Sequence, residues 1–181
     1  MRQSPQRKKV TAMTDEQQEA CLQHLVKKIS DDELFAVFGC NFRKSPNETV
    51  QLLQQAYDDR HANSVEFALG LTFKFHPTAD FVPLLCKLVI ADFHIKHEDM
   101  VGLLQDAADP YSIPFLRQTA LLKPKLTHLD YDDYGSYYKK CFHALIDIGT
   151  PEAIAVIQEF TSSEDAAARE EALYRLSKLQ K

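Results

Sequence analysis

Apolar residues recur at three- and four-residue intervals along nearly the whole chain, which is the rhythm of amphipathic helices. After Thr14, the positions Ala20, Cys21, Leu25, Val26 and Ile29 share one face. Thr14 suits the cap of that helix, and Asp15 and Glu16 suit its first turn. A short helix is predicted from Asp31 to about Cys40. In Ser45-Pro46-Asn47-Glu48, Ser45 reads as a cap, Pro46 as the first helical residue and Glu48 as the closing member of a capping box. That helix should reach about Arg60. Residues 64–75 are apolar nearly all round, through Val65, Phe67, Ala68, Leu69, Leu71, Phe73 and Phe75, so burial on more than one side is expected. His76-Pro77 ends that helix. Thr78 opens another, running to about Ala91, in which Pro83 falls past the first turn and is expected to bend the axis. Further helices are predicted over 98–108, 110–122, 132–148, 151–160 and 164–179. The last has Ser163 as its expected cap, Glu164 and Asp165 at its start, and Arg175, Lys178 and Lys181 towards its end, both ends matching the helix dipole. No segment alternates with the two-residue period of a strand. The fold class is all-α.

The chain also resembles itself. Residues 109–116 match residues 150–157 at an offset of 41, each with a cap, a proline and apolar residues in register. Val101, Leu104 and Asp106 meet Phe142, Leu145 and Asp147 at the same offset. At an offset of 31, Thr78, Val82, Pro83, Leu84 and Leu85 match Asp109, Ile113, Pro114, Phe115 and Leu116. Cys141, Phe142, Leu145 and Ile148 likewise match Ala172, Leu173, Leu176 and Leu179. The repeating unit is a helix, a tight turn and a second helix, over about 64–91, 97–122 and 132–161, with a lone first helix at 164–180. Such pairs bury their apolar faces only by stacking. The longer offset comes from an insertion at 123–133. These readings predict an α-solenoid of stacked helical hairpins: a disordered basic tail at 1–12, an N-terminal helical cap at 13–62, and the repeat array at 63–181, continuous with the cap.

The stretch Ala144-Leu145-Ile146-Asp147-Ile148-Gly149-Thr150-Pro151-Glu152-Ala153-Ile154 resembles the turn of HEAT repeats, in particular of short bacterial HEAT-like proteins. Gly149 fits a left-handed helix cap and Thr150-Pro151 a helix start. The resemblance covers about 64–180 and implies a fold rather than a chemistry. Many HEAT-like proteins are scaffolds, some resemble immunity proteins that sit beside bacterial toxins, and others are bilin lyases or DNA glycosylases. The glycosylases need a basic groove, from which this chain departs.

Charge narrows the choice. The formal net charge is -5, but Arg2, Arg7, Lys8 and Lys9 fall within the first twelve residues, which hold no acid. The rest therefore carries 17 basic and 26 acidic residues, a net of -9. Such a body repels phosphate backbones and suits a basic protein partner. No apolar run is long enough to cross a membrane, and the basic start lacks the apolar stretch of a signal peptide, so a cytoplasmic protein with neither nucleic-acid nor membrane partners is expected. Cys21, Cys40, Cys86 and Cys141 are scattered without metal-type spacing and read as reduced core thiols.

Two stretches stand out as candidate contact sites. Asp92, His94, His97, Glu98 and Asp99 lie within eight residues, where capping, a partner contact or, least of all, a metal could explain them. Asp130, Tyr131, Asp132, Asp133 and Tyr134, followed by Tyr137 and Tyr138, put four tyrosines and three acids in nine residues. The stretch reads either as an acidic helix start with some tyrosines packing inward or as a protein-binding patch, in which tyrosine offers large contact area at low entropic cost and the acids suit Arg or Lys across an interface. Cys141 and His143 point to different sides of a helix, and the five glycines form neither a nucleophile elbow nor a phosphate loop. No catalytic set, cofactor or metal is expected. The reading is a monomeric, non-catalytic protein-binding module, most specifically an immunity-type protein that neutralises a basic, nuclease-like toxin. The alternatives are a general scaffold or adaptor and, more remotely, a bilin lyase-like enzyme.

Overall fold

The computed structural model describes residues 13–129 and 135–179, which contain α-helices, short 3-10 turns and loops, with no strand among them. The chain divides into two compact units, the first ending at His76 and the second beginning at Pro77. The helix over 62–75 thus belongs with the first unit, where the repeat pattern had placed it at the head of the array.

The first unit holds α1 (Asp15–Leu25), α2 (Asp31–Phe38), α3 (Asn47–Asp58) and α4 (Ala62–Phe75). Local signals start the first two. The Thr14 side chain accepts from the Gln17 N–H while Gln17 reaches back to the Thr14 N–H. Ser30 and Glu33 make the same reciprocal pair at α2. At α3 the expected box does not form. Pro46 takes the cap position without a side-chain bond, and Glu48 donates its N–H to the Ser45 carbonyl rather than to its hydroxyl. Beneath these helices, Phe42 is buried against Phe35, Phe38 and Phe75, with ring centroids 5.2–5.8 Å apart. The Thr72 hydroxyl of α4 lies 3.0 Å from the Thr49 carbonyl of α3, which ties the two helices together. α4 is not buried all round, since Phe73 is exposed. Asp31 gathers His24, Arg43 and Lys74, and the Lys74 and His24 bonds, with Arg43 behind them, hold its carboxyl below the usual range.

Helix ends in this unit take an unforeseen form. Lys27 and Arg60 adopt left-handed backbones, with φ of 58° and 50°. The Lys28 N–H reaches the Gln23 carbonyl and the Lys27 N–H the His24 carbonyl, the paired bonds of a Schellman motif; Arg60 and His61 repeat it on Tyr57 and Ala56. Glycine is the usual residue there, as at Gly39 after α2.

The second unit holds α5 (Val82–Val89), α6 (His97–Ala107), α7 (Ile113–Leu122), α8 (Ser136–Ile148), α9 (Pro151–Phe160) and α10 (Ala166–Leu179). A 3-10 turn, Thr78–Phe81, leads into α5, and another, Pro110–Ser112, leads into α7. Pro83 and Pro114 then occupy the same place in the first turn, where an N–H has no helical acceptor to lose. Pro83 therefore starts its helix instead of bending it. Gly149 ends α8 with φ of 70°, and the Thr150 hydroxyl accepts from the Ala153 N–H to start α9. The cap of α10 is Asp165, whose Oδ1 accepts from the Ala168 N–H at 3.1 Å. Ser163, the expected cap, instead receives the Asp165 N–H.

Helices two apart in the chain pack side by side: α5, α7 and α9 form one row, and α6, α8 and α10 the other. The rows enclose a core that includes Leu85, Leu104, Leu116, Phe142, Leu145 and Ile157, all fully buried. Three polar contacts bridge successive helices of a row. Glu98 meets Lys140 at 3.1 Å, Gln105 donates to Asp147 at 2.6 Å, and Arg117 meets Glu159 at 2.6 Å. Each joins residues 42 apart, one more than the sequence repeat. The next step keeps the rule: a Cβ on Gly135 would meet that of Ala167, 32 residues on, at 3.3 Å, where the sequence repeat is 31.

Candidate functional site

The described part of the insertion between α7 and α8 holds two 3-10 turns, Lys123–Lys125 and Thr127–Leu129. Leu126 and Leu129 are buried and seat it on the second unit. Beside it runs the loop from α5 to α6, closed by its own histidines. His94 Nε2–H donates to the Leu88 carbonyl at 2.9 Å, and His97 Nε2–H to the Ala91 carbonyl at 2.7 Å. The Leu88 carbonyl, in the last turn of α5, also accepts the Ala91 N–H at 2.8 Å. The two rings stack with centroids 4.5 Å apart, and the half-buried His128 ring lies 5.1 Å from His97. This stack holds the insertion against the loop at 92–99.

Burial is the main cause that lowers the basicity of both histidines, and it takes His97 down to about 4. They are neutral near pH 7. The bond to Ala91 fixes the His97 proton on Nε2, and no donor among the described residues reaches its buried Nδ1.

The candidate contact residues therefore separate. Asp92 and Asp99 are exposed, Asp99 lying 3.7 Å from Lys96, and the half-buried Glu98 pairs with Lys140. His94 and His97 are buried, so they fasten the loop and have no surface to offer a partner. Tyr137 is corrected in the same way. It is fully buried in α8, and its hydroxyl lies 2.6 Å from the Thr119 hydroxyl, which donates to the Val89 carbonyl at 2.6 Å. Burial pushes its phenol well above the ordinary range. Asp130, Tyr131, Asp132, Asp133 and Tyr134 lie outside the described residues. Their flanks do not: Leu129 on one side and Gly135 on the other are buried.

Sequence reasoning missed several participants. His128 carried no local signal. Tyr138 is buried, donates to Asp165 at 2.7 Å and lies under the Lys123 ammonium, 5.6 Å from the ring centre. Thr119 looked like an ordinary helix residue. For Tyr137 a signal existed, because it shares the three- and four-residue rhythm of Cys141, Ala144 and Leu145.

Burial raises the thiols of Cys21 and Cys86 to about 12 and that of Cys141 also upward, so these sulfurs stay protonated and weakly nucleophilic. Among the described residues, no group of three His, Cys, Asp or Glu side chains converges as metal ligands. A shallow groove of about 170 Å³ lies between α7 and α9, lined by Arg117, Leu121, Glu159, Phe160, Ser162 and Ser163. The Arg117–Glu159 ion pair spans it. Compared with known protein families, curated proteins and solved structures, the chain finds no match.

Proposed function

We propose that this chain is a non-catalytic, HEAT-like protein-binding module of the immunity type, which neutralises a basic, nuclease-like toxin by covering its substrate groove. One observation carries the reading: the His97–His128 contact, at 5.1 Å between ring centres, fastens the root of the acidic tyrosine stretch beside Asp92, Glu98 and Asp99. The loop carries Asp92, Glu98 and Asp99, and in sequence Asp130, Asp132 and Asp133 follow His128 within five residues, six carboxylates against Lys96, Lys123, Lys125, Lys139 and Lys140. A region of that sign steers cationic partners and repels nucleic acid. The two-row helix packing and its fixed contact offset support the repeat reading. The role in a cell, inside the cytoplasm and beside a toxin, belongs to the same proposal.

The test is capture from the native organism with the full chain, followed by mass spectrometry and titration of what is recovered. The expected result is a stoichiometric complex with a basic protein whose nuclease activity is lost on binding and whose association slows as salt rises. Reversing Asp130, Asp132 and Asp133 together should weaken the complex at least ~10-fold, since close interfacial charges couple by about 1.5 kcal/mol or more. Unchanged affinity in a folded triple variant would sink the acidic surface. A captured partner that keeps its activity would favour the scaffold reading.

A further inference from the structure

Helix α10 carries a ridge that its counterpart in the repeat keeps covered. Phe142, Leu145 and Ile148 of α8 correspond by sequence to Leu173, Leu176 and Leu179 of α10. Phe142 is fully buried and packs on Phe160 of α9 with ring centres 5.2 Å apart. Leu173, by contrast, is 53% exposed and Leu179 is 47% exposed, and Tyr174, next to Leu173 in the chain, is 49% exposed. No described helix lies where α9 lies on α8. Leu173 and Tyr174 flank one outward face of α10, and exposed apolar side chains grouped on a face mark an interaction surface more often than isolated ones do.

Charge on the same face identifies the occupant. Glu170 is exposed near the start of α10 and Lys178 is exposed near its end, where the ammonium lies 5.0 Å from the Tyr174 ring centre. Glu171 and Arg175, in contrast, are paired with each other within the helix. The helix dipole accounts for acids early and bases late, but not for the exposed Leu173 and Tyr174 between them, where Arg175 as well as Lys178 lies 5.0 Å from the Tyr174 ring centre. A helix patterned in this way is complementary to itself when reversed. With a two-fold axis at Tyr174, Glu170 of each copy falls opposite Lys178 of the other, and Leu173 and Tyr174 of both fill the centre.

We propose that α10 is a homodimerisation surface, on which a second copy of this chain packs its own α10 antiparallel through Leu173, Tyr174, Glu170 and Lys178. The proposal stands apart from the acidic surface above and departs from the monomer expected from sequence. The helix is about 21 Å long, so a single helix pair buries less than the roughly 1,200 Å² of a stable interface. Association is therefore weak and its contact isologous.

Analytical ultracentrifugation of the full chain, from about 10 μM to about 1 mM, tests it. The weight-average mass should climb from 20.7 kDa towards twice that value. Leu173→Asp, at an exposed site, should hold the protein at the monomer mass. Glu170→Lys and Lys178→Glu should each weaken association about 5-fold or more, because every dimer loses two facing pairs and gains two repulsions. The double swap restores both pairs and should recover most of the wild-type constant, with helicity checked by circular dichroism. A mass fixed at 20.7 kDa throughout would overturn the proposal. So would self-association indifferent to Leu173→Asp, or a folded double swap no tighter than its single parents.

Discussion

Acidification should loosen the second unit through His97 well before its carboxylates matter. In the folded chain this imidazole is fully buried, stacked between His94 and His128, and its proton affinity is lowered from the ordinary 6.5 to about 4. Burial is the first cause, and the repulsion of His94 and His128 adds to it, against the Ala91 bond and the nearby Asp92. Unfolded, the same group takes up its proton near pH 6.5. Below that pH the unfolded chain binds a proton that the folded chain refuses, so stability is full above 6.5 and falls progressively until about 4. The span amounts to about 3 kcal/mol, and His94, shifted in the same direction, adds to it. Asp31 and Asp165 are shifted down from the ordinary carboxylate value of 3.8, so their contributions are present above it and fade only below it. Urea titrations between pH 7.5 and about 4.5 isolate the histidines. Tyrosine fluorescence suits the assay, since the chain has no tryptophan and six of its seven tyrosines fall after Pro77. His97→Gln retains an N–H for the Ala91 carbonyl but cannot titrate, so its stability should change less with pH than that of the wild type. Equal pH slopes for the two proteins, or stability flat down to pH 5, would refute the reasoning.

Other outcomes follow from the backbone and the polar core. Lys27→Gly and Arg60→Gly should each stabilise the first unit by up to about 1 kcal/mol, because a left-handed backbone costs a side-chain-bearing residue about 1–2 kcal/mol and glycine's extra chain entropy returns only part of it; a lower urea midpoint in both would contradict this. Gly135→Ala should cost the second unit about 1–3 kcal/mol in the same assay, since φ is 72° and the new methyl would meet the Ala167 methyl at 3.3 Å. Thr119→Val should cost about 1–2 kcal/mol by leaving the Val89 carbonyl without its donor, whereas Tyr137→Phe leaves that bond in place and should cost less; the reverse order in chemical denaturation would show that the hydroxyls are assigned the wrong way round.

Features that depend on a few adjacent residues were legible in the sequence. Thr14, Gly149, Thr150 and Pro151 do what their types suggest, because a cap is decided within one turn of chain. Ser45 fails the same test: its carbonyl, not its hydroxyl, receives Glu48. Lys27 and Arg60 end helices in a conformation that sequence rules look for at glycine or asparagine, so nothing flagged them. At the candidate site the acids were readable as exposed charge, and Asp92 and Asp99 are exposed. The histidines were not readable as fasteners, because the rings of His97 and His128 meet across 31 positions of chain. Tyr137 was misplaced because the acids around it outweighed its register with Cys141 and Leu145.

The recurring offset between successive helices of a row has a consequence for how such a chain can change. Where Glu98 meets Lys140, Gln105 meets Asp147 and Arg117 meets Glu159 at one spacing, the surface by which a hairpin receives its neighbour is set by the hairpin itself. Duplicating the segment from α7 to α8 would present the new copy with a face already fitted to it. The second unit is thus open to lengthening by gene duplication, which would extend its two helix rows without inventing a new joint.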